Sequence, residues 1–185
     1  MNFANIITIA RLLITPIIIW LIFSNYFILG LILFFLSGLS DALDGFIAKK
    51  FNQKTILGSY LDPIADKTLI VSSILALGYV GAIPSWLIIL IVSRDLAILG
   101  AVIISWTVKS NLKIEPIISS KINTFLQIFY IGLILLNLSY PRSIVSLSEL
   151  ILPAFSILIA FSTLSSWFSY LILWLKSIGI INQKS

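Results

Sequence analysis

Residues 28–48 read ILGLILFFLSGLSDALDGFIA. The run is long enough to cross a bilayer, which takes about 20 mainly apolar residues. Yet it closes on two aspartates, Asp41 and Asp44, with Gly45 directly after them. An apolar span that carries paired carboxylates belongs to a helix with one face turned away from lipid. Working outward from it, five more apolar runs give six spans in all: 6–23, 28–48, 58–80, 83–107, 117–139 and 149–175. Ser24-Asn25, the Asn52-Gln53-Lys54 run, Gly81 to Pro84, Lys109 to Pro116 and Ser139 to Ser146 separate them.

Composition agrees. The chain has 185 residues, of which 59% are hydrophobic and 10% charged. Soluble domains carry about 45–50% apolar and about 25% charged residues, so this chain has too little polar material to coat a water-facing surface. The expected fold is an all-α integral membrane protein with six transmembrane helices, forming a single domain over 1–185. Cysteine and histidine are both absent. Thiol chemistry, Ser-His-Asp triads and His-ligated metals are excluded, and acid–base or metal chemistry falls mainly to carboxylates.

The net charge of +5 is read as topology and not as nucleic-acid binding. Lys49, Lys50 and Lys54 follow span two, Lys109 and Lys113 follow span four, with Lys121 just inside span five, and Lys176 and Lys184 lie in the tail. The opposite side has only Arg142, with Glu149 nearby. The positive-inside rule then places both termini in the cytoplasm. With no secretory signal or mitochondrial transit pattern evident, a multi-pass protein of the cell (inner) membrane is expected ahead of the mitochondrial inner membrane.

All five aspartates, Asp41, Asp44, Asp62, Asp66 and Asp95, fall within or at the edge of spans. An acidic residue at the bilayer centre costs roughly 2.5–3.5 kcal/mol on an insertion scale and marks function by default. Asp41 and Asp44 are spaced i, i+3 and Asp62 and Asp66 i, i+4, so each pair shares a helix face. Consecutive spans in a hairpin would bring the pairs to one depth at the cytoplasmic boundary. Clustered carboxylates repel. A hard divalent cation, Mg²⁺ or Mn²⁺, resolves the conflict. Two other readings stand beside this one: helix caps or ion pairs with Lys49, Lys50 and Lys67, and a cation or proton transport path. Gly45, Gly58 and Ala48 form small-residue positions that suit a planar base lying on the helices, or tight helix packing.

Read whole, Asp41-x-x-Asp44-Gly45-x-x-Ala48-Lys49, eight residues, then Gly58-x-x-x-Asp62-x-x-x-Asp66 resembles the signature of the CDP-alcohol phosphatidyltransferase family. Lys49 stands where that signature has arginine, keeping the charge and losing the bidentate fork. Asn5-x-x-Thr8-x-x-Arg11 and Asp62-Pro63-Ile64-Ala65-Asp66-Lys67 resemble further family elements. Ser93-Arg94-Asp95 and the stretch from Ile118 to Thr124, with Gln127, look most like the cardiolipin synthases within it, with phosphatidylglycerophosphate synthases as near neighbours.

The resemblance implies CDP-diacylglycerol as donor, a phosphate-bearing alcohol as acceptor, release of CMP, and a homodimer in the lipid bilayer. It implies metal ligation of two Mg²⁺ or Mn²⁺ ions by Asp41, Asp44, Asp62 and Asp66, with Asp66 as general base. Gly45, Ala48, Lys49, Gly58, Asn5 and Thr8 would contact the donor, and Arg94, Lys121 and Arg11 the acceptor. Phosphatidylglycerol, giving cardiolipin, is the expected acceptor, and glycerol 3-phosphate the alternative. The rival of another class remains a cation or proton transporter.

Overall fold

The computed structural model describes the backbone of residues 3–50, 56–107, 118–140 and 150–177, with side chains over 7–40, 64–98, 118–140 and 150–172. Among the described residues there are six α-helices and no strand: α1 (Phe3–Phe23), α2 (Phe27–Lys50), α3 (Ile56–Tyr79), α4 (Ser85–Thr107), α5 (Ile118–Ser139) and α6 (Leu152–Ser177). Each coincides with one of the expected apolar runs. The ends differ by a few residues where a helix continues into polar sequence, as α2 does through Lys49 and Lys50. Backbone hydrogen bonding does not stop where hydrophobicity does.

Two tight turns make α1–α2 and α3–α4 hairpins, and both use the same device. Asn25 adopts φ 63° and Gly81 φ 77°, the left-handed conformation that glycine and asparagine enter at least cost. Tyr26 N donates to Leu21 O at 2.9 Å and Asn25 N to Ile22 O at 3.1 Å. Ala82 N donates to Leu77 O at 2.9 Å and Gly81 N to Gly78 O at 3.0 Å. Each is a Schellman cap that satisfies the last carbonyls of the preceding helix. After the second, Pro84 O receives Leu87 N at 3.0 Å and opens α4.

Helix α1 packs on α2 and α3, α5 on α6 and α2, and α4 on α6 and α3. The shared core includes Ile18, Ile22, Phe34, Leu69, Ile74, Leu77, Leu87, Ile91, Ile131, Ile134 and Ile159. Gly132 lets α5 approach α2: a Cβ there would lie 3.3 Å from the Phe35 ring.

The distribution of polarity is inverted relative to a water-soluble bundle. Leu13, Ile17, Trp20, Leu36, Ile89, Phe125, Phe161 and Phe168 face outward. Thr8, Arg11, Arg94, Asp95, Asn123, Gln127, Thr163 and Ser166 are buried. Contiguous apolar surface of this extent has no place in water, and lipid is the solvent it fits. Among the described residues, Ile118–Ser139 and Leu152–Ile172 are long and apolar enough to cross a membrane, with shorter apolar stretches at Ile7–Phe23 and Phe27–Ser40.

Candidate active site

The site is built where α1, α3, α4, α5 and α6 turn polar residues inward. Asp66 and Lys67 are neighbours on α3 and diverge by one helical step, one toward α1 and the other toward α4. Arg11, buried on α1, donates through Nη1 to Asp66 Oδ1, and the Asp66 side chain keeps 39% of its surface exposed. A carboxylate held by a buried guanidinium and partly exposed is oriented and reachable at once. Thr8, one turn before Arg11 on α1, is fully buried.

Lys67 Nζ donates to both oxygens of Asp95, at 2.8 Å each. Arg94, next to Asp95 on α4, donates through Nη1 to Asp95 Oδ1 at 2.6 Å. Its Nη2 donates to Ser120 Oγ of α5 and Ser166 Oγ of α6, both at 2.6 Å. The guanidinium also lies 5.9 Å from the centre of the Tyr170 ring, within range of a cation–π contact. One connected cluster thereby joins four helices. With two cations to one carboxylate it carries a net positive charge, and Arg94 Nε has no hydrogen-bond partner among the described residues. Arg94 is 1% and Asp95 2% exposed, so the pair is sealed from lipid and water alike.

The motif aspartates occupy matching registers. Asp44 lies six residues before the end of α2 at Lys50, and Asp62 six residues after the start of α3 at Ile56. At 1.5 Å of rise per residue, both are about 9 Å from the connection between the helices. Asp41 and Asp66 stand nine and ten residues from the same ends. The helices run unbroken through these positions, so the i, i+3 and i, i+4 pairs each share a face. The side chains of Asp41, Asp44, Gly45, Ala48, Lys49, Asp62 and Asn5, and Gly58 with them, lie outside the described residues, and so does any convergence of the four carboxylates. Among the described residues no three acidic groups gather. The motif supplies carboxylate oxygen only, the donor type that suits a hard divalent cation.

Of the other expected residues, Arg11 and Arg94 are buried at the two ends of the Asp66–Lys67 step, while Lys121 is exposed. Among the described residues Lys67 pairs with Asp95. Sequence reasoning passed over Ser166 and Thr163. Their signal was present: Ser156, Thr163 and Ser166 recur at spacings of seven and three in an otherwise apolar helix, and all three are buried. Thr163 Oγ1 donates to Asn123 Oδ1 of α5 at 3.0 Å, and Tyr130 and Ser156 hydroxyls meet at 2.6 Å. These pairs run in opposite order along α5 and α6, so the two helices are antiparallel.

Known proteins resemble this chain over most of its length. The family model described as CDP-alcohol phosphatidyltransferase matches residues 1–164. A protein of Drosophila melanogaster named "Probable cardiolipin synthase (CMP-forming)" is 35% identical over 149 residues, covering 72% of this chain and 46% of the relative. This chain therefore spans about half the length of that relative. A "Probable phosphatidylglycerophosphate synthase" of Mycobacterium tuberculosis is 31% identical over 188 residues, covering 98% of this chain and 86% of the relative. A "CDP-diacylglycerol--glycerol-3-phosphate 3-phosphatidyltransferase" of Rickettsia felis is 34% identical over 139 residues, covering 74% and 76%. With the eight-position motif on matching registers of α2 and α3, the chain belongs to the CDP-alcohol phosphatidyltransferase family.

Proposed function

We propose that this chain transfers a phosphatidyl group from CDP-diacylglycerol to an alcohol acceptor and releases CMP, with phosphatidylglycerol as acceptor and cardiolipin as product. The observation that carries the reading is the placement of Asp44 and Asp62 six residues from the α2–α3 connection, with Asp41 and Asp66 nine and ten residues from it. Glycerol 3-phosphate is the second reading, favoured by the mycobacterial relative that matches nearly the whole chain.

In this reading Asp66 accepts the proton of the acceptor hydroxyl, whose oxygen bonds to the phosphorus bearing diacylglycerol. The phosphorus–oxygen bond to CMP breaks, and CMP leaves with the electron pair. Arg11 holds the Asp66 carboxylate in place for this step and offers charge to the acceptor phosphate. Asp41, Asp44, Asp62 and Asp66 would hold two Mg²⁺ or Mn²⁺ ions, which supply charge neutralisation at the diphosphate. Gly45, Ala48 and Gly58 admit the cytidine, while Lys49, Asn5 and Thr8 grip the rest of the donor. Lys121, exposed on α5, takes the acceptor phosphate, and Arg94, sealed inside the Lys67–Asp95–Arg94 cluster, adds its charge from a distance. A site about 9 Å inside the helix ends lets a diphosphate reach the carboxylates while acyl chains stay in hydrocarbon.

The whole chain then forms one domain of six membrane spans in the cell (inner) membrane, with both termini cytoplasmic and a second copy completing a homodimer. The test is purified protein with CDP-diacylglycerol, Mg²⁺ or Mn²⁺, and either phosphatidylglycerol or glycerol 3-phosphate. Cardiolipin or phosphatidylglycerophosphate formed with equimolar CMP supports the reading and names the acceptor. Ion flux into vesicles with no need for a nucleotide lipid would replace it with a transporter.

A further inference from the structure

The buried face of α5 carries a row of polar groups left open among the described residues. Ser119, Asn123 and Gln127 stand four residues apart and share one helix face. Among the described residues, Ser119 Oγ, Asn123 Nδ2 and both amide atoms of Gln127 have no hydrogen-bond partner. Asn123 and Gln127 are each 0% exposed, and the bond from Thr163 to Asn123 Oδ1 turns this face toward α6. Buried polar groups are paired in nearly all proteins, so two sealed amides with open valences call for a ligand or ordered water.

The row starts beside the Arg94 cluster and runs away from it along α5. Ser120, beside its first member, bonds Arg94. The Lys67–Asp95–Arg94–Ser120 chain of contacts joins α3 to α5 across α4, and Asn123 and Gln127 follow Ser120 by about one and two turns. The open valences include donors, Asn123 Nδ2 and Gln127 Nε2, and an acceptor, Gln127 Oε1. An ester carbonyl only accepts and would leave Gln127 Oε1 open, whereas a hydroxyl donates and accepts. One turn separates Asn123 from Gln127, a rise of about 6 Å, which is the span of a three-carbon polyol.

We propose that Asn123 and Gln127 bind the hydroxyl groups of a phosphorylated polyol, the acceptor, and so select it, with its phosphate toward Arg94. This deepens the transferase reading and rests on it. The test is Gln127→Leu, with KM measured side by side for glycerol 3-phosphate and for phosphatidylglycerol in mixed micelles. The expected result is a rise of about tenfold or more in acceptor KM, with the KM for CDP-diacylglycerol within about twofold. The unfolding temperature stays level or rises, because an unsatisfied amide leaves the core. The acceptor whose KM moves is the one whose hydroxyls fill the row. Asn123→Leu and the isosteric Gln127→Glu carry the measurement if Gln127→Leu does not fold. A folded variant with unmoved acceptor KM overturns the assignment and leaves the row to water. Wild-type protein that transfers to neither acceptor overturns the transferase reading as well, so the two failures are distinct.

Discussion

Replacing Asp95 with asparagine keeps the shape of the side chain and removes the carboxylate that both Lys67 and Arg94 donate to. Arg94 is 1% exposed and cannot reach solvent, while the Lys67 side chain keeps 21% of its surface exposed and can turn its ammonium outward. The cost therefore falls mainly on Arg94. Breaking a buried pair by removing one partner costs about 3–5 kcal/mol. The two serines and Tyr170 still hold Arg94, which places the expectation at the lower end, about 3 kcal/mol. For a chain of this size that corresponds to a fall of about 6–12 °C in unfolding temperature. The assay is thermal unfolding of purified protein in detergent, followed by tryptophan fluorescence. Arg94→Leu combined with Asp95→Leu removes both buried charges, so it should recover most of the loss that either single replacement causes. If Asp95→Asn unfolds within about 1–2 °C of wild type, or if the double replacement is simply the sum of the singles, the cluster does not join the helices as described.

Asp66→Asn should fold, since the amide oxygen still accepts from Arg11, and should lose at least about 10²-fold in turnover with its proton acceptor; CMP release at near-wild-type rate refutes the role. EDTA should stop transfer and excess Mg²⁺ or Mn²⁺ should restore it, read as lipid product on thin-layer chromatography; chelation without effect removes the cation argument. Lys49→Arg should retain activity within about threefold, because it supplies the family residue and keeps the charge; an inactive, folded variant would show that the surroundings of residue 49 cannot take the wider guanidinium.

The elements were legible because apolar runs of bilayer length are separated by residues that break helices for known reasons. Asn25 and Gly81 were visible as breaks, and their positive φ values are the cause. The aspartate pairs were legible as pairs because i, i+3 and i, i+4 spacing is fixed by the helix alone. What lay beyond reach was which helix faces which. In runs apolar all round, periodicity does not set rotation about the axis, so Lys67 meeting Asp95 across 28 residues of separation and Arg11 meeting Asp66 across 55 could not be derived. Ser166 and Thr163 fell in the same gap: their spacing marks an inward face without saying what it meets.

The two Schellman turns have a mechanical consequence. From Arg11 to Ser24 is about 20 Å of helix, so the joint at Asn25 stands at the far end of α1 from the carboxylates, and the joint at Gly81 does the same for α3. Neither joint has slack, since successive amides are committed to the preceding helix. Each pair of helices is therefore pinned at its heel, away from the aspartates, and relative movement of α1 against α2 or of α3 against α4 is least at the turn.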